Sequence, residues 1–153
     1  MGSLSDWLQN APMNLKNLDL EGCSINDEGL HALAEGAANH CKVLDLIGND
    51  SITTLGLRYL SDAIRSDSCR VETLHLQGIP IRDDGMEALA LGLAGNKSVR
   101  SLYLVDLDDG ITVSSAGWLA FSRALCDTSS VNSTYLSNHN ICDIWDEDDG
   151  EFI

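Results

Sequence analysis

Residues 15–37 read LKNLDLEGCSINDEGLHALAEGA and residues 71–93 read VETLHLQGIPIRDDGMEALALGL; laid one over the other, the two stretches agree in pattern without a gap. Each opens with apolar residues spaced for a short strand, Leu15, Leu18 and Leu20 in one and Val71, Leu74 and Leu76 in the other. Each closes with apolar residues at helical spacing behind a glycine: Gly29, Leu30, Leu33 and Ala37 against Gly85, Met86, Leu89 and Leu93. A copy between them runs Cys41, Leu44, Leu46, Asn49 and Ile52, then Gly56, Leu57, Leu60 and Ile64. A later one runs Val99, Leu102, Leu104 and Leu107, then Val113, Gly117, Trp118, Phe121 and Leu125, with an insertion over 108–112. A fifth is expected to begin at Val131 and to carry Thr134, Leu136, His139 and Ile141. From Leu18 to Leu44, Leu74, Leu102 and Thr134 the steps are 26, 30, 28 and 32 residues. A near-constant period of this size marks a stacked array of supersecondary units.

Each half of the unit has a physical consequence. Leu18 and Leu20 alternate with period two, so both point to one side of a strand while Asp19 points to the other. Leu30, Leu33, Ala34 and Ala37 form one apolar stripe along a helix. Neither half hides its apolar face alone, so stacking must join the strands into a parallel sheet backed by helices, with the leucines between. Each buried leucine contributes roughly 1.5–3 kcal/mol. The fold class expected is therefore α/β: a right-handed βα solenoid of five strands and four helices, with Leu18, Leu44, Leu74 and Leu102 in one buried column. The residues two before the recurrent glycines, Asp27, Thr54, Asp83 and Ser115, are all good helix N-caps. The glycines disfavour the first helical turn they occupy, which points to close approach of the neighbouring repeat.

The pattern L-x-x-L-x-L-x-x-N/C-x-L followed by a full helix with G-x-x-x-L resembles the ribonuclease-inhibitor-like leucine-rich repeats, and the likeness runs from about Leu15 to Ile141. The N/C slot departs from it, holding Cys23 and Asn49 but then Ile79, Leu107 and His139. The chain divides into an N-terminal cap over 1–14, where Leu4, Trp7, Leu8 and Met13 would cover the open first repeat, four full repeats and one half over 15–141, and an acidic tail over 142–153. Ile144 and Trp145 offer a last apolar anchor before the tail's run of charge.

Composition narrows the function. A net charge of -15, from 24 acids against 9 Lys and Arg, is opposite to what a phosphate-backbone binder needs. Nucleic acid and anionic membranes are not expected partners. The N-terminus lacks a basic segment followed by an apolar run, and Asp6 stands where N-myristoylation needs Ser or Thr, so a cytoplasmic location is expected. Five scattered cysteines, Cys23, Cys41, Cys69, Cys126 and Cys142, suit a reducing compartment. The sequons at Asn49, Asn96 and Asn132 would matter only on the secretory route.

Motifs for chemistry fail on inspection. Residues 92–98 pass for a phosphate loop only if Leu91 and Asn96 were glycine, and they close a helix where that loop would open one. His139 and Cys142 have half the spacing of a zinc site, with Cys126 as the one plausible addition. The acidic run from Asp146 lacks the calcium-loop pattern. No Ser-His-Asp or Cys-His arrangement can be assigned by repeat position. No cofactor, metal or catalytic residue is expected, and the chain reads as a non-catalytic protein–protein interaction module.

The residue between the two core leucines of each strand must face outward, which sets Asp19, Asp45, His75, Tyr103 and Tyr135 in a row across the concave sheet face. Glu21, Ile47, Gln77, Val105 and Ser137 form a flanking row, and Asn17, Val43, Thr73, Ser101 and Ser133 another. The expected partner-binding set is Asp19, Glu21, Asp45, His75, Tyr103, Val105 and Tyr135: acidic at one end, to attract a basic protein, and aromatic at the other. Two readings of the tyrosines stand side by side: interface anchors, or rings stacked on each other to stabilise the sheet. The resemblance also implies alternatives, namely a regulator of an enzyme, such as a GTPase-activating or ubiquitin-ligase-adaptor fragment, or part of a larger leucine-rich-repeat receptor.

Overall fold

The computed structural model describes residues 15–104, 113–127, 129–132 and 137–146. Strands and helices alternate: β1 (Leu15–Asp19), α1 (Asp27–His40), β2 (Cys41–Asp45), α2 (Thr54–Ile64), β3 (Thr73–His75), α3 (Asp83–Ala94), β4 (Ser101–Leu104), α4 (Ser115–Leu125) and β5 (Asp143–Asp146). The five strands form one sheet in sequence order, and every neighbouring pair is parallel. The cap residues Leu4, Trp7, Leu8 and Met13 and the insertion 108–112 lie outside the described residues.

Stacking buries what the period requires. Leu18 pairs with Leu44, Leu44 with Leu74 and Leu74 with Leu102. The three interior leucines are fully buried, as are Leu46, Leu76 and Leu104 in the parallel column. Leu18, on the edge strand, is only partly buried against the same core. From the helices come Leu30, Leu57 and Met86, then Leu33, Leu60, Leu89 and Phe121 in the next layer. After each of the first three strands the chain turns on a glycine in the left-handed region, Gly22, Gly48 and Gly78, with φ of 59°, 67° and 71°. A side chain at Gly78 would also meet the backbone of Gly48 at 3.2 Å, so stacking and turn both demand glycine there.

The helix starts differ from expectation by one residue. The N-caps are Asn26, Thr53, Arg82 and Ser114, and Asp27, Thr54, Asp83 and Ser115 each begin the helix itself. Asn26, Thr53 and Ser114 accept from amides of their own first turns, whereas Arg82 makes no side-chain cap. Asp27 and Asp83 reach across to the next repeat instead. The Asp27 carboxylate accepts the Thr53 amide at 2.8 Å, the Thr53 hydroxyl at 2.6 Å and the Gly56 amide at 3.0 Å. Asp83 accepts the Ser114 amide at 2.8 Å and the Ser114 hydroxyl at 2.6 Å. A Cβ at Gly56 or Gly117 would collide with these same carboxylates, and one at Gly85 would collide with Leu57 of the preceding repeat, so close approach of the neighbour demands glycine at these three first turns.

The fifth strand is also placed differently. The expected copy at Thr134 and Leu136 falls on residues outside the description, and the strand beside β4 is Asp143–Asp146, within the stretch read as a tail. Its register is set by a repeated asparagine device. Buried Asn96 donates to the carbonyl of Ile64 at 2.6 Å and accepts the amides of Ser98 and Val99 at 2.9 and 2.7 Å. Asn138 donates to the carbonyl of Leu93 at 2.5 Å and accepts the amides of Asn140 and Ile141 at 2.7 and 3.4 Å. Asn138 thus matches Asn96, Ile141 matches Val99, and Ile144 pairs with Leu102.

The N/C slot is met once in full. Asn49 is completely buried; its amide donates to the carbonyls of Leu20 and Leu46 at 3.0 and 2.8 Å, and its oxygen accepts the Ile25 amide at 2.8 Å. Cys23 in that slot is exposed, Ile79 is packed in the core, and Leu107 lies outside the described residues; His139 is exposed too, but the register of β5 sets it level with Lys97 and not in the slot.

Candidate functional site

The parallel register delivers the outward row strand by strand. Asp19 pairs with Asp45, Asp45 with His75 and His75 with Tyr103. Each side chain faces away from the leucine columns because each lies between two of them. Beyond Tyr103 the next residue in register is Trp145, so the place expected for Tyr135 in the row belongs to Trp145. Tyr135 and Val105 lie outside the described residues.

The acidic end is partly pre-organised. Asp19 accepts the Glu21 amide at 3.1 Å and Asp45 accepts the Ile47 amide at 3.0 Å, so each carboxylate is held by its own strand's exit turn. Asp19 and Glu21 are exposed and Asp45 half-buried, a concentration of negative charge at one end of the face. At the other end the rings of His75 and Tyr103 stack with centroids 4.4 Å apart and planes 13° from parallel. This stack is made by a histidine and a tyrosine, both half-buried, and forms an aromatic platform on the sheet; a stack of Tyr103 on Tyr135 would involve a residue outside the described ones. The Gln77 side-chain oxygen in the flanking row and His75 Nδ1 in the central one are both buried without a hydrogen-bond partner among the described residues. Leaving such atoms unpaired is costly.

Where the sheet begins, charge is balanced instead. Lys42 of β2 pairs at 2.7 Å with Glu72, the residue before β3, and this hydrogen bond is the main cause holding the Glu72 carboxyl below its usual range.

Other residues singled out by sequence are dispersed. Cys23, Cys126 and Cys142 are exposed, Cys69 half-buried and Cys41 buried, and all five are free thiols. Burial, reinforced by Cys69, pushes the Cys41 thiol up to about 12. Among the described residues no three His, Cys, Asp or Glu side chains are grouped to hold a metal ion. The sequon residues Asn49 and Asn96 are buried and hydrogen-bonded, while Asn132 is exposed. Among the described residues no helix is long and apolar enough to cross a membrane.

Known proteins share this pattern. Residues 11–34 match the family model described as Leucine Rich repeat. NLR family member X1 of Rattus norvegicus is 32% identical over 99 residues, covering 63% of this chain and 10% of that protein. NACHT, LRR and PYD domains-containing protein 14 of Homo sapiens is 26% identical over 164 residues, covering 81% and 15%. The human protein 12 of the same description is 31% identical over 103 residues, covering 66% and 10%. The chain thus spans 10–15% of the length of these relatives. Among solved structures, the fragment titled Leiomodin-1 Actin-Binding Site 2 superposes with a TM-score of 0.74 at 12% identity, over 94% of this chain and 79% of that one. At that identity the likeness speaks to fold alone.

Proposed function

The chain is a leucine-rich-repeat protein, and from that premise we propose that it is a non-catalytic interaction module that holds a basic protein segment on its concave sheet face. The observation that carries this reading is the in-register row Asp19, Asp45, His75 and Tyr103, charged at one end and stacked aromatic at the other. Charge steers the encounter, and the aromatic platform supplies the desolvated anchor that dominates affinity. The full helix in every complete repeat supports the ribonuclease-inhibitor-like subtype. Five free cysteines support a reducing, cytoplasmic setting, in which thermal melting with and without reductant superimposes.

A second reading follows from the relatives. They are named for NACHT, LRR and PYD domains and are far longer than the stretch they share with this chain. On that reading the chain acts as the partner-sensing repeat portion of a larger assembly or as a regulator of an enzyme. The surface used is the same.

Affinity capture from the native source tests the proposal. Proteins retained by wild type should be lost on Asp45→Lys with Tyr103→Ala, and kept on the helix-face reversal Glu28→Lys with Glu87→Lys. Loss by the helix-face variant alone would overturn the assignment of the concave face.

A further inference from the structure

We infer that the groove between α1 and α2, on the helical side of the solenoid, is a second binding site, and that it takes an arginine side chain from a protein partner. The groove has a volume of about 270 Å³ and is lined by His31, Ala34, Glu35, Tyr59, Asp62 and Ser66, among others. Its aromatic wall is built by two helices: His31 of α1 and Tyr59 of α2 lie with ring centroids 4.1 Å apart and planes tilted by 33°. The spacing explains the meeting. Tyr59 falls on the third residue after Gly56 and His31 on the fourth after Asp27, so the contact of Gly56 with Asp27 sets the two rings about one turn further along, side by side.

Two carboxylates line the same groove. Glu35 lies one helical turn beyond His31, and Asp62 lies three residues beyond Tyr59, so each acid shares a helix face with one of the rings. Both are exposed, and neither makes a hydrogen bond or ion pair with a described residue. Other carboxylates of the array behave differently: Asp27 and Asp83 spend their oxygens on the next repeat, and Glu72 on Lys42. Glu35 and Asp62 keep theirs available.

Aromatic faces beside unpaired carboxylates define the ligand chemistry. A guanidinium is planar, stacks on aromatic rings and carries a fork of five donors suited to carboxylate oxygens. A lysine ammonium offers charge without the plane, and an amide of the same shape offers the plane without the charge. Apolar Ala34 and the rings bracket the methylene stem, as long cationic side chains require. This site lies on the opposite side of the sheet from the concave row and stands independently of the reading above.

The test titrates N-acetyl-arginine amide into the protein and follows the ring resonances of His31 and Tyr59 by NMR, beside matched lysine and citrulline derivatives. The expected result is saturable shifts at both rings, with arginine binding roughly fivefold or more tighter than citrulline, in keeping with exposed cation–π and ion-pair strengths. Glu35→Gln with Asp62→Asn should abolish the preference for arginine over citrulline, while Asp19→Asn with Asp45→Asn on the concave face should leave it intact. These substitutions are at exposed or half-buried surface positions, and unchanged far-ultraviolet circular dichroism confirms the fold in each. Equal response to arginine and citrulline, or shifts confined to the concave strands, would overturn the site.

Discussion

Asp27 opens the first helix, yet its carboxylate holds the amide and hydroxyl of Thr53, the residue that caps the second, at 2.8 and 2.6 Å. The same relation joins Asp83 to Ser114 two repeats later. Between these junctions, α2 and α3 are tied instead by Thr54 to Asp84 at 2.9 Å and by the Ser61 hydroxyl to the Ala88 carbonyl. Repeats are thus coupled through helix starts, by acids that a single-repeat reading would assign to their own helix.

This coupling predicts a mutational signature. Asp27→Ala should destabilise the protein by about 1–2 kcal/mol, the scale of a lost helix cap, even though its own helix is capped by Asn26. Gly56→Ala should weaken the same junction, because its new methyl would displace the Asp27 carboxylate and press on Ile52. Urea unfolding of the two single variants and the double variant checks this. The double should cost less than the sum of the singles, since both act on one bond set.

Acid should open the same junctions. Burial raises the Asp27 carboxyl, but the Thr53 hydroxyl and the amides of Thr53 and Gly56 outweigh it and leave it below 3.8. The Ser114 hydroxyl and amide lower Asp83 below the same value. Groups depressed in the folded state stabilise it at neutral pH, and that contribution fades as pH falls from the ordinary carboxylate value through the lower folded one. The melting temperature should therefore hold from neutrality to the edge of the carboxylate range and drop below it. Asp27→Asn should give a shallower acid limb in a melting series against pH.

Burial ranks the leucines of one column. Leu74 is fully enclosed, so Leu74→Ala should cost roughly 2–5 kcal/mol as a central cavity. Leu18 sits in the same column on the edge strand, where it is partly buried, and Leu18→Ala should cost distinctly less. Chemical denaturation of the two variants checks the order; equal losses would contradict the column's edge-to-centre gradient.

Repeats one to four were legible because their apolar period is nearly constant and each strand alternates strictly between core and surface. That alternation also made the outward row readable down to Tyr103. The fifth strand escaped because β4 and β5 are offset by 42 residues, and because Ile144 and Asp146 stand where earlier strands carry leucines. The surviving signal was Asn96-x-x-Val99 echoed by Asn138-x-x-Ile141, a hydrogen-bonding pattern instead of an apolar one. N-caps were misplaced by one because Asp, Thr and Ser suit both the cap and the residue after it. Sequence alone does not say which repeat's amides a side chain serves. The His31–Tyr59 groove was invisible for a related reason, since it exists only once α1 and α2 are packed.

The central claim is that the concave face binds protein through its aromatic platform. Once a partner has been captured, the dissociation constant for folded His75→Ala, Tyr103→Ala protein against wild type tests it most directly. The account predicts a loss of about tenfold or more, the size expected when a desolvated aromatic anchor is removed. An unchanged constant would contradict it and move the interface off the sheet.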